Sequence, residues 1–278
     1  MSFVQSIKEY RFFLLCSLLL LVVLYIPIIP EMVRQWAKDD NYSHGFLVPI
    51  IAGYFLWQRW PDIKEKIVKP DSMGLALVGL ALLQLVVAWL GTEYFTMRSS
   101  LIVLLAGLVL YLFGREVLKA LALPIGYLIF MVPIPYIIYD ALAFPLKLFI
   151  TKSSVIILQM MGVVVMREGN IIMLPTTTLE VADACSGIRS LMSLLALAAA
   201  YAFMLQTSTL KRIILILSAV PIAIITNAMR VIVTGILAQW WGAQAAEGFF
   251  HEFAGLAVFA LAMVLLVAEG ALLRRIGR

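Results

Sequence analysis

The chain has 278 residues, of which 63% are hydrophobic and only 13% charged, with a mean hydropathy of +1.02. A soluble domain carries about 25% charged residues, so a soluble globular fold is excluded and an integral membrane protein is implied, with helices satisfying their own backbone hydrogen bonds. The formal net charge of +5 is no sign of a nucleic-acid partner, because membrane proteins gather Lys and Arg on their cytoplasmic side.

The apolar runs predict an all-α, polytopic transmembrane helical bundle forming a single domain, 1–278, with spans near 12–30, 45–59, 73–91, 99–113, 118–135, 188–205, 213–240 and 252–273. The first run follows Lys8 and Arg11, as a signal peptide would. It lacks a small-residue cleavage site, however, and Pro27 and Pro30 are followed by Glu31 and Arg34, so it reads as a retained helix. Cys16, inside this run, reads as a small apolar filler. Next comes "DDNYSHGFLVPII", with His44 at the mouth of the second span. By residue type His44 belongs to a polar cap, with Asp40, Asn41 and Ser43 as cap candidates; a gating role beside a substrate is the other reading.

An even number of spans puts both termini on one side. That side then holds 13 of the 21 basic residues and six of the 16 acids, a net of +7, and leaves −2 opposite. The positive-inside rule makes the termini cytoplasmic.

Residues 136–187 are the longest segment expected not to span. Pro133 and Pro135 end the fifth span. The run that follows is interrupted by Lys147, Lys152 and Ser153–Ser154, and its uninterrupted part, Val155 to Met166, is too short to cross. An interfacial or re-entrant helix on the outer face is expected, serving as a lid or as a stabilising belt. "REGNIIMLPTTTLEV" then reads as a short hairpin leading to "EVADACSGIRSL".

That last stretch sets Glu180, Asp183, Cys185 and Ser186 ahead of the sixth span. Cys16 and Cys185 lie at opposite levels of a bilayer core about 30 Å thick, beyond the reach of a disulfide. As a structural residue Cys185 helps a helix end to pack. As a chemical one it sits in the first turn of a helix capped by Asp183, where the dipole lowers a thiol pKa while the Asp183 charge opposes it.

The seventh span carries "AIITNAMRVIVTG". An unpaired Arg inside a span costs at least about 3 kcal/mol, so Arg230 is expected to face the interior, a water-filled cavity or a partner, with Asn227 on the same helical face. A structural pair with Glu180 or Asp183, or snorkelling to the outer surface, are its plainer readings. The eighth span opens on "GFFHEFAGLAVF", so His251 reaches the same outer level as Cys185 and Arg230. It reads either as a polar belt residue or as chemistry. Together the three residue types suit acyl transfer, with a thiolate nucleophile, a proton-exchanging His and an Arg for the oxyanion. A zinc site built from His44, His251, Cys185 and nearby acids lacks any closed-site spacing, so no metal or cofactor is expected.

"NYSHGFLVPI", "ACSGIRSL", "NAMR" and the helix-opening His251 resemble, in order and spacing, the exosortase/archaeosortase family, from about Trp36 to Leu273. The resemblance implies a polytopic membrane enzyme of the cysteine transpeptidase type. Its substrates would be exported proteins with a C-terminal sorting tail made of a Pro-Glu-Pro motif, a membrane helix and a basic cluster. It implies Cys185 as nucleophile, His251 as proton carrier and Arg230 as oxyanion stabiliser. Asn227, Ser186 and Gly187 stand at motif positions, and His44 is drawn toward the outer working face. The expected partners are these tails, membrane lipid and an acceptor that is water, an amine or a lipid-linked group.

Three alternatives belong to other classes. A transporter or channel would use Arg230 in its substrate path, but would more often show broken helices and midplane polar residues in both halves. A non-catalytic partner of a surface-polysaccharide export system would tolerate loss of Cys185. A rhomboid-like serine protease using Ser186 would want Gly where Ala184 stands.

Overall fold

The computed structural model describes residues 1–175, 177–181, 188–242 and 248–276; the side chains of 188, 189 and 248–252 lie outside the description. Helix accounts for 82% of the described residues, in keeping with the expected all-α polytopic fold. Among the described residues, α5 (Met73–Leu90), α6 (Tyr94–Phe113), α8 (Tyr136–Met160), α10 (Thr209–Trp241) and most of α11 (Gly248–Arg275) are long and apolar enough to cross a membrane. A sixth candidate is the bent pair α2 (Arg11–Tyr25) and α3 (Ile29–Lys38), which turns by 56°. The break falls at Pro27, where a proline cannot continue the hydrogen-bond ladder.

Eight spans were expected, and three of those runs fall on shorter or more polar helices. These are α4 (Leu47–Lys64), α7 (Arg115–Tyr127) and α9 (Ile188–Leu205). Two have a local reason: the last two turns of α4 hold Arg59, Asp62 and Lys64, while α7 stops after 13 residues and continues as the 3₁₀ turn Leu128–Met131. α9 is apolar over its described side chains, Ser190–Leu205.

The chain, read as one domain, divides into two compact units, 1–135 and 136–278. In the first, α4 to α7 run between two ends. At the basic end a capping box formed by Ser2 and Gln5 opens α1 (Phe3–Glu9), and Ser2 bridges to Ile67. Arg115 bonds Asp71 at 2.5 Å, and Lys119 bonds Glu116 at 2.8 Å. At the other end Trp36 Nε1 donates to the Met131 carbonyl at 2.9 Å and Tyr42 Oη to that of Ile134 at 3.0 Å. So α7 and its 3₁₀ continuation traverse the unit even though α7 alone is short. Between the ends, α5 and α6 lie close because Gly74 and Gly107 bring no Cβ. One built on Gly107 would stand 2.9 Å from the Val78 nitrogen.

In the second unit α10 is the axis. Its 33 residues span about 50 Å at 1.5 Å per residue, more than a bilayer core of about 30 Å. Its first half packs on α9 and α11 through Leu194, Ala198, Ala202, Leu215, Ala219, Ala223, Ala262 and Leu266, the alanines among them letting helix backbones approach. Its second half, from Ile224 to Ala238, packs on α8 through Ile150, Val155 and Leu158.

The expectation for 136–187 needs correcting in one respect. Ser153–Ser154 and the lysines do not break the helix: α8 is continuous over 25 residues, with Pro145 inside it. A helix buries such residues without losing its backbone ladder, since Thr151 Oγ1 donates to the Lys147 carbonyl at 2.7 Å and Ser154 Oγ to that of Ala228 at 3.4 Å. α8, about 37 Å long, packs on the second half of α10 and, through Tyr139 and Ala143, on Met192 near the start of α9. The expected hairpin follows, extended to three antiparallel strands: β1 (Met166–Glu168), β2 (Ile171–Met173) and β3 (Thr178–Glu180). The inward side chains Ile172 and Leu179 seat the strands on the α8–α10 core.

Candidate functional site

The hairpin, the second half of α10 and the first turns of α11 belong to the unit that contains Cys185. On α10, Thr226, Asn227 and Arg230 are all buried, Asn227 to 2% exposure and Arg230 to 8%. Asn227 and Arg230 are three residues apart, so they stack on one face of the helix. A buried guanidinium keeps its charge, since Arg cannot deprotonate in proteins, and the surrounding helix interior offers it little solvent. The inward-facing Arg expected from the sequence is found, and snorkelling is not its conformation.

The position of the Arg230 head group is set by α11. A Cβ built on Gly255 would stand 3.4 Å from Nη2, 3.5 Å from Cζ and 3.6 Å from Nη1. The guanidinium thus lies flat against a bare stretch of α11 backbone, where any larger side chain would displace it. Gly255 is four residues after His251. On a helix that spacing puts the two residues on the same face, one turn apart. The sequence named Arg230 and His251 but missed Gly255, which follows from the i, i+4 relation to His251 once Arg230 is known to face this helix.

Glu180, a suggested partner of Arg230, closes β3. Its carboxylate accepts from Asn170 Nδ2 at 3.4 Å, and the same amide donates to the Val181 carbonyl at 3.3 Å. These bonds tie the strand end that precedes the cysteine back onto the β1–β2 turn. Asp183, Cys185, Ser186 and Gly187 lie outside the described residues, as does the side chain of His251; the His251 backbone belongs to α11.

His44 belongs to the first unit and is described there by itself. It sits in the 3₁₀ turn Asp40–Phe46, buried, with the backbone carbonyls of Phe130 and Asn41 within reach of its ring nitrogens. Burial disfavours the imidazolium and holds its pKa below the ordinary 6.5, with the two carbonyls pulling the other way. The cap of this turn is Asp39, which accepts from the Asn41 N–H at 3.0 Å, rather than Asp40, Asn41 or Ser43. Gly45 has a steric role, since a Cβ there would meet Trp36 Nε1 at 2.5 Å. In this unit His44 and Gly45 join the turn to Trp36 and to the end of α7.

The sequence reading also passed over Arg98 on α6, buried to 6%. Its Nη1 donates to Gln35 Oε1 at 2.6 Å, and its Cζ stands 5.5 Å from the Tyr94 ring centroid. An arginine in an apolar run, four residues after an aromatic, was the available signal.

Against this geometry, residues 36–268 match the family model described as transmembrane exosortase. The matched segment runs through both units and includes every motif residue named above. No curated protein and no solved structure matches the chain.

Proposed function

The chain belongs to the transmembrane exosortase family, and on that premise we propose that it is a membrane-embedded cysteine transpeptidase. In this reading it cleaves C-terminal sorting tails (Pro-Glu-Pro motif, membrane helix, basic cluster) of exported proteins and transfers the exported part to an acceptor. The observation that carries the reading is Arg230, a permanently charged group buried on α10 and laid against α11 one turn from His251.

The roles follow from charge development. The Cys185 thiolate attacks the scissile carbonyl, forming a C–S bond and moving an electron pair onto the carbonyl oxygen. Arg230 meets that oxyanion in a site shielded from water, where a fixed donor is worth more than in bulk solvent. Collapse of the adduct breaks the C–N bond, and His251 delivers the proton to the departing amine. A thioester remains on Cys185 until water, an amine or a lipid-linked group takes the acyl part. Asn227 supports Arg230 from one turn below, while Ser186, Gly187, Asp183 and Glu180 shape the turn that presents Cys185. His44 braces its own turn within the first unit.

The topology proposed with this mechanism has both termini in the cytoplasm, on the charge balance of +7 against −2, in the cytoplasmic membrane of the cell. It places the reacting residues at the outer face. A tail inserted with its basic end inside puts its Pro-Glu-Pro segment at that level. The test is tail processing in membranes with a co-expressed reporter carrying such a tail. Wild type should shorten the reporter, and Cys185→Ala at equal expression should abolish shortening. Full processing by Cys185→Ala would end the thiol mechanism.

A further inference from the structure

The second unit has a built feature at its opposite end, far along α10 from Arg230. Where α9 stops, α10 starts and α11 stops, a cavity of about 460 Å³ opens, with Lys211, Arg274, Arg275, Gln206 and Thr207 in its lining. Three of the lining residues are cations and none is an acid. Among the described residues, Lys211, Arg274 and Arg275 take part in no ion pair.

The walls are fixed by hydrogen bonds between the three helix ends. Gln206 Nε2 donates to the Gly270 carbonyl at 2.8 Å and Tyr201 Oη to that of Val267 at 3.1 Å, locking α9 to α11. Arg212 Nε donates to the Gln206 carbonyl at 2.8 Å and Lys211 Nζ to that of Ile276 at 2.6 Å, locking the start of α10 to both. The Tyr201 ring occupies the space a Cβ at Gly270 would need, so α9 and α11 meet at van der Waals distance here. The cations therefore project from a rigid frame.

An apolar surface adjoins the cavity. Leu210, Ile213 and Leu217 are exposed along one side of α10, and Leu272 and Ile276 along α11. Both sets are spaced at three or four residues and so form stripes parallel to the helix axes. A cationic mouth continued by exposed apolar stripes matches a phospholipid, phosphate at the helix ends and acyl chains along the bundle. A free anion would use the mouth and leave the stripes idle.

We propose that this cavity is a headgroup site for an anionic phospholipid of the adjoining leaflet, its phosphate held by Arg274, Arg275 and Lys211. Arginine suits the task because its planar fork takes two phosphate oxygens at once. Basic pockets between helix ends at a membrane surface bind anionic head groups for the same reason. The site ties together the three helices whose other ends carry the Cys185 region, Arg230 and His251, and its occupation strengthens the second unit. It stands whether or not the proposed transpeptidase reading does.

The experiment is native mass spectrometry of the full chain in detergent, titrated with phosphatidylglycerol or with phosphatidylcholine of the same acyl chains. Wild type should retain phosphatidylglycerol at far lower concentration, with the preference falling as salt rises. Arg274→Gln with Arg275→Gln should cut the preference roughly thirtyfold, and Arg274→Lys with Arg275→Lys should keep most of it. Equal retention of the two lipids by wild type would overturn the proposal. So would an unchanged preference in the double Gln variant, or displacement of phosphatidylglycerol by inorganic phosphate well beyond that caused by chloride at equal ionic strength, which would mark a free-anion site. If the Gln variant melts lower than wild type, the Lys variant and the salt dependence decide the matter: loss of the preference in the Lys variant, or its persistence at high salt, rejects a charge-based site.

Discussion

Each unit buries an arginine in an apolar helix, and the two burials are built differently. Arg98 on α6 is set among polar and aromatic neighbours: Gln35 accepts from it at 2.6 Å, and the Tyr94 ring lies 5.5 Å from its Cζ. The Gln35 bond fastens α3 to α6. Arg230 on α10 is laid over Gly255, whose missing Cβ lets the α11 backbone come within contact distance of the guanidinium. The first arginine joins a side chain of another helix; the second is positioned by how closely a helix backbone approaches it.

If this contrast is right, Arg230→Ala should lower tail processing by about 10²–10³-fold, the usual cost of removing an oxyanion donor, at near wild-type abundance. Arg98→Ala should reduce abundance and melting temperature while leaving processing per folded molecule within a few-fold. Loss of processing from a fully stable Arg98 variant would erase the distinction. The next effect in size comes from the glycine. Gly255→Val should push the guanidinium away and cost about 10–100-fold, since misplacement by about 1 Å can cost 10². Gly255→Ala meets Arg230 at 3.4–3.6 Å and should cost only a few-fold. Processing rates of the two variants, at equal expression, check the ordering.

Much of this was legible because lipid imposes simple rules. Residue hydropathy alone located every long helix except α8, and the cost of a buried charge singled out Arg230 as inward-facing. What was not legible depended on contacts between distant segments. The continuity of α8 through Lys147, Lys152 and Ser153–Ser154 was missed because a window treats polar residues as interruptions. In the fold, Ser154 finds the Ala228 carbonyl and Leu158 fills the space over Gly235. The shortness of α7 misleads in the opposite direction, since its 3₁₀ continuation completes the traverse by reaching Trp36 and Tyr42. Gly255 carries no chemical signal of its own; its meaning is positional. The cap of the His44 turn was misassigned by one residue because Asp39 and Asp40 are equally good caps by type, and only backbone geometry chooses between them.

The Arg98 side of the comparison sharpens through Gln35. Gln35→Ala removes an acceptor from a buried charge and should destabilise the protein by about 1–3 kcal/mol, read as a lower melting temperature in detergent with processing per folded molecule retained. Gln35→Glu places a carboxylate at the same 2.6 Å contact and should hold or raise the melting temperature. A Gln35→Ala variant as stable as wild type would show that Arg98 does not depend on this bond.

The smallest expected effect concerns pH. His44 is buried with a pKa held below the ordinary 6.5, so the folded protein resists a proton that the unfolded chain accepts. Stability from this source is complete above about pH 6.5 and is lost as pH falls from there through the folded pKa. Melting temperature should therefore decline between pH 7.5 and 5, and His44→Gln, which keeps a donor for the Phe130 or Asn41 carbonyl, should flatten part of that slope at a small cost near neutrality. A slope identical in wild type and His44→Gln would remove His44 as the acid-sensitive joint of the first unit.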